Sequence, residues 1–192
     1  MRVLVACEYS GAVRDAFRKR GHYAWSCDLL PSDSDNTFHY QGDVLNIIND
    51  GWDLMIAHPP CTHLAVSGAR WFKDKFAEQE EALQFVQRLM NANIEQICIE
   101  NPISIISSHI RKPDQIIQPW MFGDPFTKST CLWLKNLPKL YETNVVDKGT
   151  RHITKSGKSL PDWYNLPPSA DRWKLRSRTF PGIANAMATQ WG

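Results

Sequence analysis

The stretch IAHPPCTHLA (residues 56–65) sets a thiol, Cys61, directly behind two prolines at the end of an apolar run. Pro59 and Pro60 lack backbone N–H donors and have a fixed φ, so neither a helix nor a sheet ladder continues through them. They present Cys61 stiffly at the mouth of the strand predicted for WDLMIA (52–57). A thiol is a strong nucleophile only as thiolate, from an ordinary pKa of about 8.5. A second apolar run, EQICIEN (95–101), ends on Glu100 and Asn101. If the two strands are neighbours, their backbones lie about 5 Å apart, and Cys61 and Glu100 can face one small substrate. A carboxylic acid can hydrogen-bond or protonate a heteroaromatic ring and make it electrophilic, so the pair describes covalent addition to an activated ring. Zinc is the rival use, with His58, Cys61, His63 and Cys98 as candidate ligands. Cys98 falls inside a predicted strand and no paired zinc-ribbon spacing occurs, so no metal site is assigned.

The elements that must position these groups follow from periodicity. RVLVA (2–6), HYAWSCD (22–28), FHYQGD (38–43), WDLMIA and EQICIEN read as strands. Between them, GAVRDAFRKRG (11–21) and DKFAEQEEALQFVQRLMNAN (74–93) carry helical spacing, with Gly21 as a stop for the first. STCLWL (129–134) reads as a further strand and GIANAMATQW (182–191) as a closing helix, while the region from Pro113 onward is less regular. Alternating strands and helices predict an α/β fold with right-handed crossovers and a mostly parallel central sheet flanked by helices. Ligands of such sheets sit beyond the carboxyl ends of the strands. Glu8, Ser10, Asp28, Asp43, Cys61, Glu100 and Asn101 all follow or close a predicted strand and would line that one edge. Asp28 suits ribose hydroxyls and Asp43 an adenine amino group, although either could equally cap the helix that follows it. The first turn offers only Gly11 where phosphate-cradling loops show several glycines, which disfavours a pyrophosphate cofactor.

HPPCTHLA followed by IENP resembles the Pro-Cys and Glu-Asn motifs of DNA cytosine carbon-5 methyltransferases. Further similarities fall in that family's order: VLVACEYSG at its first motif, SCDLL at its ribose-binding acid and GDVLNI at its adenine-contacting aspartate. FGDPFTKSTCLWL resembles a later motif and SRTFPGIANAMA the closing helix that returns to the cofactor. The whole is similar to the short members of the family encoded by phages and prophages. The resemblance implies a Rossmann-like, S-adenosylmethionine-dependent methyltransferase fold. It places the cofactor against Glu8, Ser10, Gly11, Asp28, Asp43, Pro59 and Asn185. It makes Cys61 the nucleophile toward carbon 6 of cytosine and Glu100 the group that engages ring nitrogen 3. DNA contacts would come from Pro60, Thr62, Ser67, Asn101, Lys128, Arg151, Lys155, Arg176 and Arg178, with Asn101 and Pro102 fixing the Glu100 loop. Three features depart from the family. The first motif lacks most of its glycines, and the usual arginine pair is missing, with Lys128 the nearest cation. Only residues 148–178 are left for target recognition, which implies short or poor sequence specificity.

Composition bounds the rest. The 192 residues suit a single domain, and 43% hydrophobic with 22% charged residues is ordinary for a soluble fold. No apolar run approaches about 20 residues, and the start lacks the pattern of a secretory signal. Five cysteines without a CxxC spacing argue against a disulfide framework and for a reducing, cytoplasmic setting. The segment Lys148–Arg178 carries net +6, leaving −4 for the remainder, and it holds Trp163, Tyr164 and Trp173. Concentrated positive charge with interleaved aromatics suits a polyanion, and a solvated loop is the plain alternative. Two further functions share these features: a catalytically weak nucleic-acid-binding module, and a methyltransferase for RNA or a free cytosine nucleotide. An exocyclic-amino methyltransferase fits less well, because an aromatic residue rather than Cys61 would follow Pro-Pro.

Overall fold

The computed structural model describes residues 1–66, 75–169 and 171–192. Seven strands form the central sheet: β1 (Arg2–Ala6), β2 (Tyr23–Asp28), β3 (His39–Gln41), β4 (Leu54–Ala57), β5 (Gln96–Pro102), β6 (Gln115–Ile117) and β7 (Thr130–Lys135). Their spatial order is 3-2-1-4-5-7-6. β1 to β5 run parallel, and β7 runs antiparallel to both β5 and β6. The order is that of a Rossmann-like sheet with one reversed strand inserted before the last. The α/β prediction and its mostly parallel sheet are therefore correct.

Side-chain alternation along each strand builds two cores. Val3, Val5, Leu54, Ile56, Cys98 and Leu132 pack on one face with α1 (Ala12–Lys19) and α5 (Pro181–Trp191). Leu4, Ala6, Met55, Ala57, Ile97, Ile99 and Trp133 pack on the other with α2 (Phe76–Met90) and Ile106 of α3 (Ile106–His109). Strands buried on both faces need continuous apolar runs, which is what RVLVA and LMIA supply. Cys98 is fully buried within the first core, where the strand prediction put it. Trp133 is 1% exposed and donates its indole N–H to the Arg111 carbonyl at 2.8 Å. Trp133→Ala should cost about 3–5 kcal/mol, readable as a lower urea midpoint at unchanged slope.

The irregular region after Pro113 holds more structure than its periodicity suggested. It contains β6, a separate hairpin of β8 (Arg151–Ile153) and β9 (Ser159–Pro161), and α4 (Arg172–Ser177). Three-residue strands and a six-residue helix are too short to show a period, so the sequence could not announce them. The helix predicted at 11–21 ends at Lys19, and Gly21 takes the left-handed φ of 85° that turns the chain into β2.

Candidate active site

Sheet register sets the first contact of the site. β4 and β5 are parallel neighbours with Ala57 opposite Ile99, so the next pair is His58 and Glu100. Ala57 and Ile99 point into one core, and alternation sends His58 and Glu100 to the other side together. There His58 Nδ1 lies 3.3 Å from Glu100 Oε2, with the two side chains 10% and 15% exposed. Burial works against a charged imidazole. The hydrogen bond to Glu100 and the charges of Glu100 and Glu8 outweigh it, and they hold His58 above the usual imidazole range. Burial likewise pushes Glu100 up, but His58 and the Lys128 ammonium overrule it and keep the carboxyl below the usual range.

The loop bearing Cys61 is stitched to the end of β5. The buried Asn101 amide donates to the Pro59 carbonyl at 2.8 Å, Val66 N–H to Ile103 O at 3.1 Å, and Ile105 N–H to Leu64 O at 3.0 Å. The Cys61 carbonyl accepts from Leu64 and Ala65, which starts a tight turn at the thiol. Pro59 is buried, while Pro60, Cys61 and Thr62 are exposed. The thiol can thus be reached, yet the protein around it displaces bulk water. That and the Glu100 charge raise its pKa, against the opposing charges of Lys128 and Arg176. In the free protein Cys61 is a thiol. Ser67 lies outside the described residues.

Lys128, just before β7, completes this group. Its Nζ donates to the Arg176 carbonyl at 3.0 Å and sits 5.8 Å and 5.7 Å from the Trp163 and Phe180 ring centroids. Burial lowers its pKa, and Glu100 and Cys61 pull it back up. Its charge acts on Glu100 and Cys61. His58 is the residue that sequence reasoning weighed only as a metal ligand. Among the described residues no group of three or more His, Cys, Asp and Glu side chains could hold a metal ion.

The neighbouring sheet edge carries the acids. Glu8 is 4% exposed and accepts from Val13 N–H at 2.7 Å, Arg14 N–H at 3.2 Å and the Ser10 hydroxyl at 3.3 Å. The protein's own carboxylate thus fills the N-terminus of α1, where a phosphate would otherwise dock. Burial raises the Glu8 pKa despite His58 and those N–H donors. Gly11 has φ 72°, and a Cβ there would collide with Ser34 and Arg14, so this one glycine is required. Cys7 also takes a left-handed φ, 58°, at the turn out of β1. Asp28 accepts from Leu30 N–H at 2.9 Å through Oδ1, and burial raises its pKa. Asp43 caps the 3-10 turn Val44–Asn46 through Oδ1 to Leu45 N–H at 2.9 Å. Asp43 therefore fills the capping role, whereas Asp28 holds the bend at Leu30 and the next helical turn, Asn36–Phe38, is capped by Asp35. Leu29, 73% exposed beside Asp28, adds an apolar surface that the sequence reading did not use. Asn185 is exposed one turn into α5.

α4 and the loop after it fold back over this edge. Tyr9 donates to the Lys174 carbonyl at 2.9 Å, shares a 2.8 Å bond with Ser177 Oγ and packs its ring 5.8 Å from Trp173. Asp33 pairs with Arg178 at 2.8 Å and Lys174 at 3.8 Å. A cavity of about 460 Å³ lies between Ser10, Ala12 and Ser34 on one side and Trp163, Phe180 and Pro181 on the other. Of the basic residues expected on DNA, Arg178 is therefore held by Asp33. Arg151 bonds Ser159 across the β8–β9 hairpin, Arg176 stacks 5.7 Å from the Tyr164 ring, and Lys155 is exposed at the hairpin tip.

No family model and no curated protein matches this sequence. Among solved structures, the chain is similar to an inferred DNA modification methyltransferase encoded within an E. coli prophage. The TM-score is 0.52 at 16% identity, covering 78% of this chain and 53% of that one. The chain has a methyltransferase-like fold. It spans about half the length of that methyltransferase. No helix among the described residues is long and apolar enough to cross a membrane.

Proposed function

We propose that this protein is an S-adenosylmethionine-dependent methyltransferase that acts on carbon 5 of cytosine in DNA. The observation that carries the reading is the exposed Cys61 thiol on a loop pinned to the β5 end that bears Glu100, with the Lys128 charge acting on both. The structural likeness to a prophage DNA modification methyltransferase supports methyl transfer as the reaction class. The electrostatics of the edge support the cofactor. Glu8, Asp28 and Asp43 repel a pyrophosphate, and they suit a nucleoside that carries positive charge. Asp28 and Asp43 would hold the ribose and adenine, Leu29 would underlie the ring, and Glu8, Ser10, Gly11, Pro59 and Asn185 would enclose the amino-acid end. S-adenosylmethionine, when bound, supplies the methyl group that carbon 5 receives.

In this mechanism Cys61 gives up its proton to solvent as sulfur bonds to carbon 6, and ring nitrogen 3 takes a proton relayed through the Glu100 carboxyl. The ring's displaced electron pair becomes an enamine whose carbon 5 is nucleophilic. After methylation, carbon 5 loses its hydrogen as a proton, the sulfur–carbon bond breaks, and nitrogen 3 returns its proton to Glu100. Lys128 favours the thiolate by charge. As a point charge it cannot reproduce the forked donors of an arginine pair. In duplex DNA the base must first leave the stack, at a few kcal/mol. The exposed Lys155, Lys158, Tyr164 and Trp173 are the groups of the basic segment that would meet the backbone.

An oligonucleotide carrying 5-fluorocytosine tests the chemistry, because fluorine cannot depart as a proton does and the adduct stays bound. A complex that survives denaturing electrophoresis and requires cofactor is the expected result, and its absence overturns the reading. Comparing methyl incorporation into DNA, RNA and dCMP separates the DNA reading from its two relatives, and salt-sensitive DNA retention without transfer to any of the three would mark a binding module.

A further inference from the structure

We infer that His58 is a positioning residue that supplies, through Glu100, the proton received by ring nitrogen 3. The inference rests on the carbon-5 reading and deepens it. Glu100 in the free protein is held ionised by His58 and Lys128, and a carboxylate has no proton to give. The geometry names one source. His58 Nδ1 is 3.3 Å from Glu100 Oε2, the register of β4 on β5 fixes the pair on one side of the sheet, and both side chains are largely removed from water.

The surroundings favour a stored proton. Glu8 from the β1–α1 turn, Glu100 from β5 and Asp28 from the end of β2 face the imidazole with negative charge, and Lys128 before β7 is the opposing cation. Among the described residues the buried His58 Nε2 has no hydrogen-bond partner, and Nδ1 to Glu100 is the contact through which the imidazole can exchange its proton with the site. The step balances. As Cys61 releases its proton to solvent and forms the sulfur–carbon bond, His58 Nδ1 gives its proton to the Glu100 carboxylate, which passes a proton on to nitrogen 3, leaving a neutral imidazole and an ionised Glu100. When the thiolate leaves carbon 6, nitrogen 3 returns the proton along the same path.

The sign of the pH dependence follows. Addition needs the Cys61 thiolate and the His58 imidazolium together. Below the His58 pKa the imidazolium is constant and the thiolate rises tenfold per pH unit. Above it, loss of imidazolium cancels the gain in thiolate, so the rate levels until the thiol itself titrates. The trapping rate on a 5-fluorocytosine duplex, measured with cofactor from about pH 5 to 9, should show that break for the wild type. His58→Asn keeps a neutral donor toward Glu100 and cannot titrate. Its rate should continue to rise tenfold per unit through the wild-type break, so its deficit, tenfold or more near pH 6, should shrink as pH rises. His58→Gln serves as the second variant. A wild-type profile without a break, or a break that persists in His58→Asn or His58→Gln, overturns the role of His58. No wild-type adduct at any pH instead removes the carbon-5 reading itself.

Discussion

Cys61→Ser should lose covalent capture of a 5-fluorocytosine duplex and should transfer methyl groups at least about 10³-fold more slowly than the wild type. A serine hydroxyl in the same place has a pKa far above that of a thiol. Lys128 and Arg176 already fail to bring the more acidic thiol down to its ordinary value, so they leave no alkoxide to add to carbon 6. The change removes no packing, because Cys61 is exposed and its backbone carbonyl, rather than its sulfur, starts the turn to Leu64 and Ala65. Stability should stay within about 0.5 kcal/mol of wild type. Cofactor binding, followed by calorimetry, should be unchanged. A serine variant that still forms the adduct would remove Cys61 from the chemistry.

Glu100→Gln should slow transfer by about 10² to 10⁴-fold, the range for losing a positioned general acid. Glutamine can still donate a hydrogen bond to nitrogen 3, so addition should become slow rather than absent, and adduct should accumulate over hours. Unlike Cys61→Ser, this change also reaches the fold. The Glu100 carboxylate offsets two neighbouring cations, His58 and Lys128. His58 can relieve its loss by shedding a proton, which keeps the cost at about 1–3 kcal/mol rather than that of a fully stranded charge. A domain of this size should then melt about 2–4 °C lower per kcal/mol. Methyl transfer rates and a melting curve on one preparation check both parts. Wild-type transfer at full stability would show that Glu100 faces no substrate.

Much of the architecture was legible because period-2 and period-3.6 patterns are local. RVLVA, HYAWSCD, WDLMIA and EQICIEN became β1, β2, β4 and β5 within two residues of the predicted bounds. The polar groups that follow them lie at one sheet edge, as parallel strands require. STCLWL became β7, but its direction was hidden, since an alternating strand reads the same parallel or antiparallel. β6, the β8–β9 hairpin and α4 were missed for want of length.

The site divides along the same line. Residue type and position after a strand put Cys61, Glu100, Glu8, Asp28 and Asp43 at one edge from the sequence alone, because in a parallel sheet each strand delivers its last side chains to the same end. Pairings across the chain needed the fold. His58 meets Glu100 only once Ala57 is known to sit opposite Ile99. Arg178 looked free for phosphate until Asp33, 145 residues earlier, took it, and Lys128 reached the site only when Trp163 and Phe180 closed over it. Sequence order states which groups leave a strand. Which charges then neutralise one another depends on distances of a few ångströms between remote segments, and only tertiary packing sets those.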